Sequence, residues 1–202
     1  MDMDAYKLPS LDEIFRNRLS KKYYNSEEFL EFVKDKEERY ELIGGKIVMM
    51  ASPSMDHQDI AGYIYSELRS YLKGKPCKPF IAPLDVFLFE KNKNKNKCRN
   101  VYQPDVFVVC DKDKLSQRGI NGAPDFIVEV VSPSNSEYDY YYKCILYMNF
   151  GVKEYWIIDP VTKSILVYIN GESVSTYRYT FNDKVKAGIF EDFEIDFNEL
   201  QI

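Results

Sequence analysis

Between Met55 and Leu72 the apolar residues Ile60, Ile64, Leu68, Tyr71 and Leu72 recur at intervals of three and four, which predicts a long amphipathic helix with one covered face. Ser52-Pro53-Ser54 breaks the chain before it and Gly74 ends it. A shorter helix is predicted after Ser26, with Ser26 as N-cap, Glu27 and Glu28 in the first turn, and Phe29, Leu30, Phe32 and Val33 as the apolar stripe. Two hairpins are indicated. Tyr40–Ile43 and Lys46–Met50 flank Gly44-Gly45, and Ile165–Ile169 and Ser175–Tyr179 flank Asn170-Gly171. Phe80–Phe89 alternates as one strand containing Asp85. Val106–Cys110, Phe126–Val131 and Glu154–Ile158 are near-continuous apolar runs of the kind buried on both faces of a sheet.

Asp111–Pro124 reads as a loop, and residues 137–150 have helical spacing (Tyr141, Ile145, Leu146, Met148) up to Gly151. Residues 188–202 alternate apolar and acidic positions and are expected to cap a sheet edge. After residue 50 the order is therefore helix, three strands, helix, strand, with peripheral hairpins and no internal repeat. The class is α/β (α+β), with helices covering a mixed central sheet. An N-terminal arm over 1–26 precedes a single domain over 27–202.

Composition narrows this picture. The 202 residues suit one domain, and 17 Tyr and 13 Phe predict an aromatic core. No apolar run approaches the roughly 20 residues that span a bilayer, and MDMDAYKLPS lacks the basic-then-apolar order of a signal peptide, so a cytoplasmic protein is expected. Cys77, Cys98, Cys110 and Cys144 form no CxxC pair and His57 is the sole histidine, which argues against a zinc finger or a thiol protease; the four are read as unpaired thiols. The net charge of −5 does not advertise a nucleic-acid binder. The one dense basic run, KNKNKNKCRN over 91–100, reads either as a DNA-backbone contact or as a solvated polar insertion that buries nothing.

Candidate chemistry lies where charged residues interrupt apolar elements. Asp105 follows Gln103-Pro104 at the start of one buried strand, and Glu129 interrupts Ile127-Val128 and Val130-Val131 inside another. An isolated buried carboxylate is costly, so each must be solvated, paired or bound to a cation. Asp139 and Lys143 stand one helical turn apart on the helix that follows Glu129. Two acids and a base on elements that pack together point to a divalent-metal site with an ammonium beside it. His57 begins the long helix, where it reads as a phosphate or water contact, or as an N-terminal capping or surface residue. Glu41 is an acid on a hairpin strand.

The segments YELI-GGKIVMM, S-P-S-x-x-H-Q, PLDV, QPD, APDFIVEVVSPS, D-x-x-x-K and GVKEYWIIDP, in order over residues 27–170, resemble the Uma-type family of restriction-endonuclease-like proteins in the PD-(D/E)XK nuclease superfamily. The resemblance implies an αβββαβ restriction-endonuclease-like core and a Mg2+-dependent phosphodiesterase site in which Mn2+ substitutes. Carried over by motif, Asp105 corresponds to the first acid and Glu129 to the second, together the metal ligands. The lysine usual two residues after the second acid corresponds to Val131, and the family moves it to the next helix, where Lys143 stands. His57 and Gln58 fall in one family motif, Glu41 matches a position facing the site, and Gln103 and Asp139 are accessory. The family pattern carries an acid near the position of Lys46 that this chain lacks.

The expected function is thus a Mg2+-dependent endonuclease acting on DNA, with no membrane partner and with homodimerisation as the superfamily's frequent state. The competing reading is a non-catalytic nucleic-acid- or protein-binding module on the same scaffold.

Overall fold

The computed structural model describes residues 22–89, 94–132, 142–200 and 202. Its elements are α1 Ser26–Val33, β1 Tyr40–Ile43, β2 Lys46–Met49, α2 Met55–Tyr71, β3 Lys78–Ile81, β4 Val86–Phe87 and β5 Val101–Tyr102. They continue with β6 Val106–Val109, β7 Leu115–Ser116, β8 Gly119–Asn121, β9 Phe126–Val130, α3 Cys144–Phe150, β10 Glu154–Asp159 and β11 Ser164–Ile169. The chain closes with β12 Ser175–Thr180, β13 Lys184–Lys186 and β14 Glu194–Asp196.

The apolar runs form the centre of a six-stranded mixed sheet, ordered β12-β11-β10-β9-β6-β3, in which only the β10–β9 pair is parallel. A second sheet runs β2-β1-β5-β4-β8-β7. One face of the central sheet packs on α2 through Ile60, Ile64 and Leu68, and the aromatic tail residues Phe190, Phe193 and Phe197 join them against Trp156 and Phe126. The opposite face meets the second sheet and α3 in a layer that includes Phe107, Ile127, Val131, Tyr102 and Tyr147. Outside the second sheet lies α1, with Phe29 packed on Leu42, Phe87 and Val101. The mixed α/β class holds, and among the described residues no helix is long and apolar enough to cross a membrane.

Several local expectations are corrected. The N-cap of α1 is Asn25, whose side chain accepts from the amides of Glu27 and Glu28 while Glu28 reaches back to the Asn25 amide; Ser26 is the first helical residue. Phe80–Phe89 is two strands on two sheets, because the chain turns at Ala82-Pro83 after β3 has paired with β6. The loop 111–124 contains the β7–β8 hairpin, and β8 pairs with β4. That pairing requires Gly119, since a Cβ there would collide with the Asp85 carbonyl that accepts from the Ile120 amide. The β11–β12 connection spans 170–174, and Asn170 uses its amide to cap α3 at the Met148 and Val152 carbonyls rather than to make a two-residue turn. The tail covers a face of the central sheet, not its edge. The described part of the polar run is anchored by Ser26 and Gly45 amides on the Cys98 and Arg99 carbonyls, and it buries the Cys98 side chain.

Cys77 and Cys110 form a disulfide, against the expectation of unpaired thiols. The antiparallel β3–β6 register sets Lys78 opposite Val109, and one further step brings the cysteines together across 33 residues of sequence. Cys98 and Cys144 are free and buried, and burial pushes the Cys144 thiol up to about 12, leaving it without thiolate character.

Candidate active site

Strand register brings the two predicted acids together. In the antiparallel β6–β9 pair Val106 lies opposite Val128, so one step further Asp105 lies opposite Glu129, on the same face. Like charges directly opposed on a sheet are unfavourable, and the surroundings show how this pair is accommodated. Asp105 Oδ2 accepts from His57 Nε2 at 3.0 Å and from the Val130 amide at 2.8 Å. Glu129 Oε1 accepts from Lys143 Nζ at 2.9 Å and from the Tyr147 hydroxyl at 2.8 Å. Each carboxylate therefore has its own base. Burial would raise the Asp105 carboxyl, but the His57 hydrogen bond and charge, the Val130 amide and the Lys143 charge together hold it below its usual value.

The supports come from four elements. Glu129 sits in a central strand and is 3% exposed, which excludes a water-facing edge position. Lys143, 4% exposed, is carried by the turn that opens α3. One helical turn later Tyr147 presents its hydroxyl from the same face, and burial with the adjacent Glu129 charge raises it well above the ordinary phenol value. The His57 amide donates to the N-cap Ser54 Oγ at 3.2 Å, in line with the capping role, while its ring reaches Asp105, a contact not anticipated for it. A carboxylate at Nε2 calls for the proton there, and Nδ1 is buried without a partner among the described residues.

Glu41 enters from β1. Its Oε1 accepts from the Gln103 amide at 3.0 Å and lies 3.5 Å from Lys143 Nζ. The Gln103 side chain links two further groups, accepting from Arg39 Nε and donating to Asp85 Oδ1, both at 2.9 Å. Burial raises the Asp85 carboxyl, with the Gln103 bond acting against it. Arg39, Glu41, His57, Asp105, Glu129 and Lys143 all line one cavity of about 140 Å³. Gln58 is exposed on α2 and takes no part in that wall, and Asp139 lies outside the described residues.

Arg39, Tyr147 and Asp85 complete the site without having been singled out for it. Two had a readable signal: Arg39 is two residues before Glu41, immediately ahead of β1, and Tyr147 is four residues after Lys143 on a helix. Asp85 stood in a quoted motif, but its partner Gln103 is reached only through tertiary structure.

The described residues contain no group of three or more His, Cys, Asp and Glu side chains arranged to hold a metal ion, so the site is not a closed protein cage. It offers hard oxygen donors from two opposed carboxylates facing a polar cavity. Both bonds to Asp105 fall on Oδ2, and among the described residues Oδ1 accepts none. That donor set suits a small hard cation that keeps most of its water, as Mg2+ does.

A family model described as "Uma2: Putative restriction endonuclease" matches residues 26–198. An uncharacterized protein of Synechocystis sp. is 30% identical over 144 residues, which cover 70% of this chain and 72% of that protein. Among solved structures, a crystal structure titled as a putative nuclease belonging to DUF820 from Anabaena variabilis superposes with a TM-score of 0.65 at 20% identity, covering 82% of this chain and 89% of its own. At that identity the likeness speaks for the fold.

Proposed function

The chain belongs to the Uma2 family, and from that membership together with the site we propose that it is a Mg2+-dependent endonuclease that hydrolyses DNA phosphodiester bonds. The observation that carries the reading is the opposition of Asp105 and Glu129 on the central sheet, with Lys143 Nζ 2.9 Å from the second acid. Asp105 and Glu129 would hold the ion, and Mn2+ would substitute for it. Such an ion supplies positive charge beside the phosphoryl group and acidifies nearby water.

The chain's own residues do the rest. The His57 ring fixes one carboxylate, and Lys143 and Tyr147 fix the other. Lys143 is also the ammonium placed to orient an attacking water or to stabilise charge on the phosphoryl oxygens. The buried surroundings strengthen each of these interactions relative to water.

Incubation of the full chain with supercoiled plasmid and Mg2+ or Mn2+ tests this. Nicking by the wild type and its loss in Glu129→Gln are expected; no nicking by the wild type, or equal nicking by both, overturns the reading. The competing non-catalytic module draws support from the net charge of −5 and predicts no Mg2+ binding in calorimetry.

A further inference from the structure

The guanidinium of Arg39 is held at one side only. Nε donates to Gln103 Oε1 at 2.9 Å, and Gln103 is itself pinned by Asp85 through its side chain and by Glu41 through its main-chain amide. At the other side Nη2 is buried and has no acceptor among the described residues, although Arg39 lines the cavity that Asp105 and Glu129 face. A buried donor left without an acceptor keeps its full desolvation penalty, and the penalty is larger on a charged group. Three residues are thus arranged to aim a cationic donor that none of the described residues accepts.

The rest of the wall says what would accept it. Lys143 is engaged by Glu129 and Glu41, so among the described residues Arg39 is the permanent cation of the wall with an unpartnered buried donor. Glu41, Asp105 and Glu129 make the cavity repel a doubly charged anion more than a singly charged one. A phosphodiester carries one negative charge and two non-bridging oxygens, and a guanidinium meets such oxygens with directed N–H bonds. We propose that Arg39 forms a phosphodiester subsite, its Nη2 donating to a non-bridging oxygen of the bound nucleic acid, with Gln103 and Asp85 as positioning residues. The identity of the ligand rests on the nuclease reading above; the need for an acceptor at Nη2 does not.

Binding of a short mixed-sequence DNA duplex is measured by fluorescence anisotropy over a salt series, with Ca2+ in place of Mg2+ and the full chain throughout. Arg39→Met is expected to weaken binding about tenfold, and to lower the slope of log affinity against log salt by about one, the signature of one lost phosphate contact. Gln103→Leu keeps the cation, so it is expected to weaken binding with the slope retained. Unchanged affinity and slope in Arg39→Met, or no duplex binding by the wild type, overturns the subsite. If Arg39→Met fails to fold by circular dichroism, Arg39→Lys decides: weaker binding at unchanged slope supports the subsite, and wild-type affinity overturns it. Plasmid nicking separates the two claims. Arg39-dependent binding without nicking by the wild type removes the hydrolytic reading and leaves the subsite. Nicking by both proteins, with equal binding, removes the subsite and leaves the hydrolytic reading.

Discussion

Lys143 Nζ lies 2.9 Å from Glu129 Oε1 although the residues are 14 apart in sequence, and Val131, two residues after Glu129, is buried in the layer between the sheets. The cation beside Glu129 thus comes from the turn that opens α3 and not from the strand itself. It also lies 3.5 Å from Glu41, so one cation serves two buried acids.

Replacing Lys143 with Met leaves both carboxylates without that cation. Breaking a buried pair from one side costs about 3 to 5 kcal/mol, so a correspondingly lower melting temperature is expected in metal-free buffer. Mg2+ should raise the melting temperature of Lys143→Met more than that of the wild type, because it binds only the folded acids and they have lost their competitor. Equal shifts in the two proteins would argue that the ion does not reach Glu129.

Tyr147→Phe removes a donor to Glu129 Oε1 while preserving the ring contacts with Tyr102 and Tyr155. A loss of about 1 to 2 kcal/mol is expected in urea unfolding, with an unchanged slope against denaturant. Nicking should fall less than in Lys143→Met, since Lys143 still holds the carboxylate.

Asp125 offers a pH test away from the cavity. Burial would raise its carboxyl, but the Lys153 bond at 2.7 Å and the Cys110 amide at 2.8 Å hold it below the ordinary value. The unfolded chain therefore takes up this proton first as pH falls. The stabilisation is complete above the unfolded value near about pH 4 and is lost as pH falls through the lower folded value. Thermal melts of Asp125→Asn and wild type should differ by a constant amount near neutrality and converge below about pH 4.

The Cys77–Cys110 bridge closes a separation of 33 residues. Loop-closure entropy for that length predicts a loss of about 3 to 4 kcal/mol on reduction. Urea unfolding with and without dithiothreitol checks it, and a Cys77→Ser/Cys110→Ser variant should match the reduced wild type and not respond to reductant.

The elements legible in the chain were those whose period or turn chemistry is local: α2, the β1–β2 hairpin, and the apolar runs that became β6, β9 and β10. Errors arose where tertiary pairing overrode a local pattern. Phe80–Phe89 alternates like one strand, yet its halves pair with β6 and with β5 and β8. The disulfide and the Asn170 cap depend on register and on docking that no short window contains. At the site, Asp105 and Glu129 stood out because acids interrupt buried strands only at some cost. Arg39 and Tyr147 were not singled out, although they lie two residues before Glu41 and one helical turn after Lys143, and Gln103 shows its linking role only once Arg39 and Asp85 are brought to its two ends.

The central claim is that Asp105 and Glu129 share one divalent ion in the cavity that Lys143 borders. Anomalous diffraction from crystals soaked in Mn2+ measures this directly. The account predicts a single strong peak between the two carboxylates, absent in Glu129→Gln. No peak there, or a peak that persists in Glu129→Gln, would contradict it.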